Sequence, residues 1–350
     1  MTSSRRRKSS ALAHLVAAVA AAVALAGCPD GPSGGPGPGR VVVSCALDRL
    51  FAEPVLRDFT ARTGIEVDAR WDAEATKTTG LVEALRAERD RPRCDVFWNN
   101  ELGQTVVLAQ EGLLEPWDSP AAADLPAWAR DPERRWTGFA ARGRVLIVNA
   151  ELVPEAEQPR SVDDLLDPRW RGRCAIAKPL FGTTATHAAA WLARRGPEGL
   201  SAFLRGLVAN EVVVCAGNAT VKDKVAAGEL AWGLTDTDDV HLAMLAGKPV
   251  RCVFPDQGDG QGTFLIPNSI ALVRGGPNPA AGRALIDFVL AREVEAALAA
   301  SRSAQIPLRP GVPRPAWIPA DVKVLPVDWP AIGAAFPEAA RLVRLDLLGE

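Results

Sequence analysis

Five carboxylates stand just after apolar runs in this chain: Asp48, Glu101, Asp236, Asp238 and Asp239. Oxygen donors of that kind suit a hard cation or a cationic organic group. Polar residues occupy the same kind of position: Ser44, Asn99, Asn100, Thr183, Thr184, Asn218 and Thr237. Where a helix opens at such hydroxyls, its unpaired backbone N–H groups suit an anion. The two sets together describe a site for a zwitterion, or for a metal with a companion anion. Aspartate is also a preferred N-cap, so Asp236 and Asp239 either cap the helix after them or meet the ligand. Asp238 is the stronger ligand candidate. Thr183 and Thr184 carry the same two readings, anion contact or plain capping.

Position matters because ligands of open α/β sheets sit beyond the carboxyl ends of the strands, against helix N-termini. Short apolar runs alternate with helical patterns from residue 40 onward. Residues 40–44 read as a strand, 50–63 as an amphipathic helix closed by Gly64, 65–71 as a strand, 78–89 as a helix and 94–98 as a buried strand. A second unit follows, with strands at 174–177, 212–215, 230–234 and 250–254. Its helices are expected at 185–194, 197–209, 221–228 and 239–246. Residues 264–273 return as a strand and 280–300 form one long helical pattern, while 136–149 look like β-structure crossing between the units. Two α/β lobes joined by crossing strands leave a cleft, and a polar cleft between lobes suits a small molecule.

Cysteine and histidine add little. Cys45, Cys94, Cys174, Cys215 and Cys252 each sit in or beside an apolar run, without metal-type spacing. They read as small buried hydrophobes, with one disulfide as the alternative. His187 and His241 each lie about one turn into an expected helix beside a cleft loop, where an isolated histidine is more often structural than a ligand. Trp71, Trp98 and Trp232 read as core or as cleft wall.

The N-terminus places the protein outside the cytoplasm. Arg5, Arg6, Arg7 and Lys8 precede an apolar tract that ends Leu25-Ala26-Gly27-Cys28. This is the layout of a secretory signal, and it resembles a bacterial lipoprotein signal with Cys28 as the lipidated residue. Residues 29–39, PDGPSGGPGPG, read as a flexible spacer. Without the four basic residues of the signal, 36 basic residues face 42 acidic ones. That mildly acidic body argues against nucleic acid as a partner. At roughly 310 residues it exceeds what one core usually holds.

The motifs RVVVSCALDRLFAEPVLRDFTARTGIEV, CDVFWNNE, PLFGTTATH, GNATVKDKVAAGELAWGLTDTDD and PDQGDGQGTFLIPNSIALV occur in this order. In that order they resemble the periplasmic solute-binding proteins of ABC importers. The branch is that of ferric-iron-binding proteins and related phosphonate, sugar-phosphate and thiamine binders. The resemblance spans about residues 40–340. It implies an α/β, two-lobed periplasmic-binding-protein fold of type II, with a ligand cleft between lobes joined by crossing strands. It further implies a signal at 1–27, a linker at 28–40, one lobe from 41–135 with 264–300, and another from 136–263 with 301–350. Metal ligands of the family fall on Asp48, Glu101, Asp238 and Asp239, and its anion contacts on Thr183, Thr184 and Asn218. Asp238 and Asp239 stand where the ferric binders have a tyrosine pair, and this chain has no tyrosine at all.

The expected function is therefore solute capture for uptake: iron or another metal with its anion, or a small phosphorylated or cationic organic. The implied partners are an ABC permease and its ATPase, and the membrane through the lipid anchor. No nucleic acid and no cofactor are expected, and the protein is expected to be a monomer at the outer face of the membrane or in the periplasm. Two alternatives stand beside this. Leu234-Thr235-Asp236-Thr237-Asp238 resembles the D-x-D start of haloacid-dehalogenase-type phosphatases, although Asp239-Val240 replaces their glycine-threonine pair. A surface lipoprotein without a transport role is the other.

Overall fold

Arg40–Cys45 (β1), Glu66–Trp71 (β2) and Val96–Asn99 (β3) form a parallel trio with β1 in the centre. The computed structural model describes residues 39–72 and 78–350. The signal, most of the linker and Cys28 lie outside the described residues. Between the first two strands, α1 (Arg49–Thr63) buries Phe51, Val55, Leu56 and Phe59 at helical spacing. It stops at Gly64, whose positive φ lets its N–H reach back to the Thr60 carbonyl. Helix α2 (Thr79–Ala87) completes the expected opening. Helix α3 (Gly103–Gln110) and β4 (Leu114–Glu115) have no sequence-level counterpart. The reason is that α3 is buried nearly all round, which erases the amphipathic period.

Strand β5 (Thr137–Asn149) is buried along all of its 13 residues and changes partners midway. The remaining elements are β6 (Cys174–Ala177), α4 (Gly182–Ala209), β7 (Val213–Cys215), α5 (Asn218–Ala226), β8 (Trp232–Asp236), α6 (Thr237–Leu245) and β9 (Val250–Val253). They are followed by β10 (Leu265–Val273), α7 (Pro279–Val289), α8 (Arg292–Ala300) and α9 (Trp329–Val343). Residues 137–143 of β5 pair with β10, and residues 144–149 pair with β8 and β9. The resulting strand order is β2-β1-β3-β10-β5-β8-β6-β7, so β5 joins two α/β groups within one sheet. A register shift opposite Pro267/Asn268 leaves Ala140 as a bulge with φ of 40°. Bulges re-aim the side chains that follow.

Three boundaries differ from expectation in the same direction. Helices α4, α5 and α6 begin at Gly182, Asn218 and Thr237, two or three residues early. Their first turns are polar because they face a cavity, so the apolar period starts only after them. The expected 280–300 helix is two, broken where Ala291 is extended. Helix α4 is interrupted at Gly196, whose φ is 71°. Helix α9 buries Trp329, Ile332, Phe336, Leu342 and Val343 and closes over α3 and α4. A Cβ at Gly103 would lie 2.6 Å from the Phe336 ring, so only glycine admits that approach.

All five described cysteines are free. Burial pushes the Cys174 thiol up to about 12, and raises Cys45, Cys94, Cys215 and Cys252 as well, so they pack as neutral thiols. Trp98 and Trp232 are fully buried core residues. Among the described residues, no helix is long and apolar enough to cross a membrane.

Candidate ligand site

Arg142 and Arg144 are two residues apart on β5 and therefore share one face of the strand. Both side chains are buried, Arg144 completely. They are placed where the strand passes from β10 to β8, just after the Ala140 bulge. Arg144 Nη1 lies 2.7 Å from an Asp236 oxygen at the end of β8. Arg142 Nη1 lies 3.3 Å from Asp238 and 3.6 Å from Asp236. The other terminal nitrogen of Arg142 donates to the Asn100 carbonyl after β3. One guanidinium thus ties the loop after β3 to the start of α6.

Asp236 is the hub of a closed polar network. The Thr183 hydroxyl donates to it at 2.7 Å and the Asn218 amide at 2.9 Å. Arg144 also donates to Thr183 and Thr184 at 3.2 Å and to Asn218 at 3.3 Å. Burial pushes the Asp236 carboxyl up, but the two guanidinium groups and these hydrogen bonds outweigh it and hold it below the usual carboxylate range. Burial opposes the charge on Arg142, and Asp238, Asp236, Asp48 and Asp239 more than restore it.

Above this network lies a cavity of about 290 Å³. Its wall includes Asp48, Asn100, Arg142, Lys178, Thr183, Thr184, Asn218, Lys222, Asp236, Asp238 and Asp239. The first turns of α4, α5 and α6 open here. None of the three carries a side-chain cap: Phe181, Gly217 and Asp236 occupy the cap positions without a capping hydrogen bond. Gly182, at a φ of 54° that a Cβ would strain, starts α4. The N–H groups of a first helical turn have no acceptor inside the helix and carry its positive dipole end. The capping reading of Thr183, Thr184 and Asp236 therefore gives way: these side chains bond to one another and to Arg144. Asp239 accepts the Thr235 hydroxyl at 2.8 Å. One oxygen from each of Asp236, Asp238 and Asp239 falls within 4.8 Å of the others.

Four of the expected site residues lie elsewhere. Glu101 is fully buried away from the cavity wall. It accepts from Asn99 at 2.9 Å, from the Gln104 N–H at 3.0 Å, and from the Thr186 hydroxyl. It thereby holds the start of α3 to α4 and does not join Asp48, Asp238 and Asp239. Asn99 is spent on Glu101 and Thr105. Ser44 is buried in β1 beside the Cys94 thiol. Thr237 accepts the Gly143 N–H at 3.2 Å. Asn99, Glu101 and Thr237 each directly adjoin a residue that does face the cavity, and residue type cannot tell the two faces of a strand end apart.

The basic half of the site, Arg142, Arg144, Lys178 and Lys222, is not among the residues that the sequence analysis singles out. A signal existed for the first two: Arg-x-Arg beside the apolar run Val145–Val148 puts two charges on one face, which a buried strand tolerates only with partners. Lys178 follows β6 directly, the kind of position that flagged the carboxylates.

Residues 96–332 match the bacterial extracellular solute-binding proteins, well over half of the chain. Iron uptake protein A1 of Synechocystis is 27% identical over 265 residues, covering 73% of this chain and 72% of that one. Iron-bound HitA from Pseudomonas aeruginosa shares the fold with a TM-score of 0.79 at 24% identity, over 88% of this chain and 99% of that one. AfuA from Actinobacillus pleuropneumoniae, solved with fructose-6-phosphate bound, shares it with a TM-score of 0.76 at 21% identity, over 89% and 99%.

Proposed function

This chain belongs to the bacterial extracellular solute-binding proteins, and we propose that it captures a small solute bearing an oxyanion group, a phosphate or phosphonate, for an ABC permease and its ATPase. The observation that carries the reading is the convergence of the α4 and α5 N-termini on one cavity beside Lys178 and Lys222. Unpaired N–H groups, dipole ends, hydroxyls and two ammonium groups all favour an anion there. The opposite wall, with Asp48, Asp238 and Asp239, receives a cationic or hydroxyl-bearing part of the same solute. The two lobes we assign are 41–135 with 264–300 and 136–263 with 301–350, closing about β5 as solute bridges them. The phosphatase alternative draws no support, because Asp236 is engaged by Arg144 and is not poised to attack phosphorus.

A metal with a companion anion is the second reading. The three clustered carboxylates favour it, and so do relatives named for iron. Against it, Asp236 and Asp238 already face guanidinium groups, and no tyrosine is present to supply a phenolate.

A thermal-shift screen followed by titration separates the two, with sugar phosphates, phosphonates, thiamine phosphates and ferric citrate as ligands. The expected hit is an organic oxyanion, and Lys222→Ala weakens it about tenfold by removing one charge-assisted contact. Melting temperature of the unliganded protein should hardly change, since the ion pair Lys222 makes among the described residues is with the exposed Asp223. Binding of ferric citrate alone, insensitive to Lys222→Ala, would overturn the oxyanion reading.

The family places the protein in the periplasm. We further propose that Cys28 carries the lipid that tethers it, and that it works as a monomer. Cys28→Ser is expected to abolish acylation and leave the protein soluble or signal-retaining. Lipid still attached to that variant, read by mass spectrometry of the membrane fraction, would sink the tether.

A further inference from the structure

We propose that the end of β1, β3 and β10 opposite the main cavity docks on an anionic phospholipid surface, through arginines that bind headgroup phosphates. The proposal rests on the reading of Cys28 as the lipid-bearing residue, which sets where the membrane is. The described residues begin at Gly39 and Arg40, the N-terminal end of β1. The turn before β3 packs at that end, where the Asp95 N–H donates to the Val42 carbonyl at 2.8 Å. The end of β10 joins it: the Val273 N–H donates to the Asp95 carbonyl and the Arg274 N–H to the Leu113 carbonyl, both at 2.9 Å. Asp48 and Asn100 follow the other ends of β1 and β3 and line the main cavity. A spacer with the composition of residues 29–39 spans roughly 20 Å on average. Lipid on Cys28 therefore keeps the arginine end close to the headgroups.

Arg89, Arg91, Arg93 and Arg274 are exposed at this end, and none forms an ion pair among the described residues. Two of them are held by backbone carbonyls, which orient a guanidinium without cancelling its charge. Arg89 Nη2 donates to Glu111 at 2.8 Å, and Arg274 donates to Gly112 at 2.9 Å and to Leu114 at 3.2 Å. Arg89, Arg93 and Arg274 line one recess of about 370 Å³, with Leu85, Pro92 and Leu113 as its apolar part. That volume has room for a phosphodiester headgroup, and a guanidinium fork matches its paired oxygens.

Nearby carboxylates do not cancel the patch. Glu88 is held by Arg70 at 3.2 Å, Glu111 by Arg86 at 2.7 Å, and Asp68 by Arg40. Asp90 and Glu66 are exposed without an ion pair among the described residues, so four unpaired arginines face two unpaired carboxylates. Beyond the signal the chain carries 36 basic and 42 acidic residues. The same lipid therefore repels the rest of the body and leaves this end to dock. Each arginine adds only a modest attraction, but the tether holds the patch at high local concentration. Docked in this way, the protein opens its main cavity toward solution for capture, and it must leave the lipid to reach the permease.

The test is hydrogen exchange, read by mass spectrometry, of the full lipidated chain on vesicles. One set is phosphatidylcholine, and in the other about a quarter of it is replaced by phosphatidylglycerol. The expected result is slower exchange in residues 86–93 and 274–278 on the anionic vesicles alone, reversed by high salt. Flotation with pure phosphatidylcholine reads the tether separately. A chain that does not float refutes the tether, and the exchange measurement then runs on that chain with excess anionic vesicles. Arg91→Gln/Arg93→Gln removes two exposed charges that hold nothing in place, so the fold should stand. It is expected to weaken partition onto anionic lipid about 25-fold, about fivefold for each charge. Lys222→Ala, in the main cavity, is expected to leave the protection intact. Equal exchange on the two kinds of vesicle, or protection that survives the double substitution, would overturn the proposal. So would equal protection by inorganic phosphate in solution, which assigns the recess to a soluble anion. Protection of these residues by the permease alone would overturn it too, and assign the face to that partner.

Discussion

Arg144→Met is expected to lower the unfolding free energy by about 3–5 kcal/mol, because it strands a buried carboxylate. Asp236 would keep only Arg142, at 3.6 Å, together with its two neutral donors, Thr183 and Asn218. The double variant Arg144→Met/Asp236→Leu should recover much of that loss, since removing both charges removes the uncompensated one. The sign of the pH dependence follows from Asp236. Its carboxyl is held below the ordinary value in the folded protein, so it contributes stability above the unfolded value that is lost as pH falls through the folded one. Without Arg144 that depression shrinks, and the gap between wild type and variant narrows as the solution is acidified below the ordinary aspartate pKa. Urea unfolding at several pH values measures both effects. An Arg144→Met protein as stable as wild type at neutral pH would refute the central role of this pair.

Glu101→Ala is expected to cost about 2–5 kcal/mol of stability and to leave solute affinity within about twofold. The alanine abandons three donors, from Asn99, Gln104 and Thr186, in a buried seam between α3 and α4. Glu101→Gln keeps a carbonyl acceptor there and should cost about 1 kcal/mol. Burial, the largest influence, holds the Glu101 carboxyl above its ordinary value despite those hydrogen bonds. A raised carboxyl means that this group's contribution falls as pH rises from the unfolded value through the folded one. Glu101→Gln removes that dependence and flattens the stability profile over the same interval. Paired denaturation and calorimetric titration decide the matter: a tenfold loss of affinity with intact stability would return Glu101 to the ligand site.

What the sequence alone determined is the framework. Strand runs such as Val41–Val43 and Val96–Trp98 are continuous and apolar because both faces of the central sheet are covered. Helix α1 was legible because one of its faces is wet and the other dry, and α3 was illegible because neither is wet. The type II two-lobed fold and the solute-binding family could be read from ordered motifs, since strand-end polar residues recur wherever a cleft must be lined. Tertiary structure alone decided which of those residues share a cavity. Neighbours in sequence at a strand end point to opposite sides, so Asn100 meets the cleft while Asn99 and Glu101 brace α3. It also decided the sign of the site. The carboxylates looked like an acidic pocket because their counter-charges, Arg142 and Arg144, come from a strand some 90 residues earlier. Only the pairing of β5 with β8 brings those arginines to Asp236 and Asp238, and burial then makes the pairing obligatory.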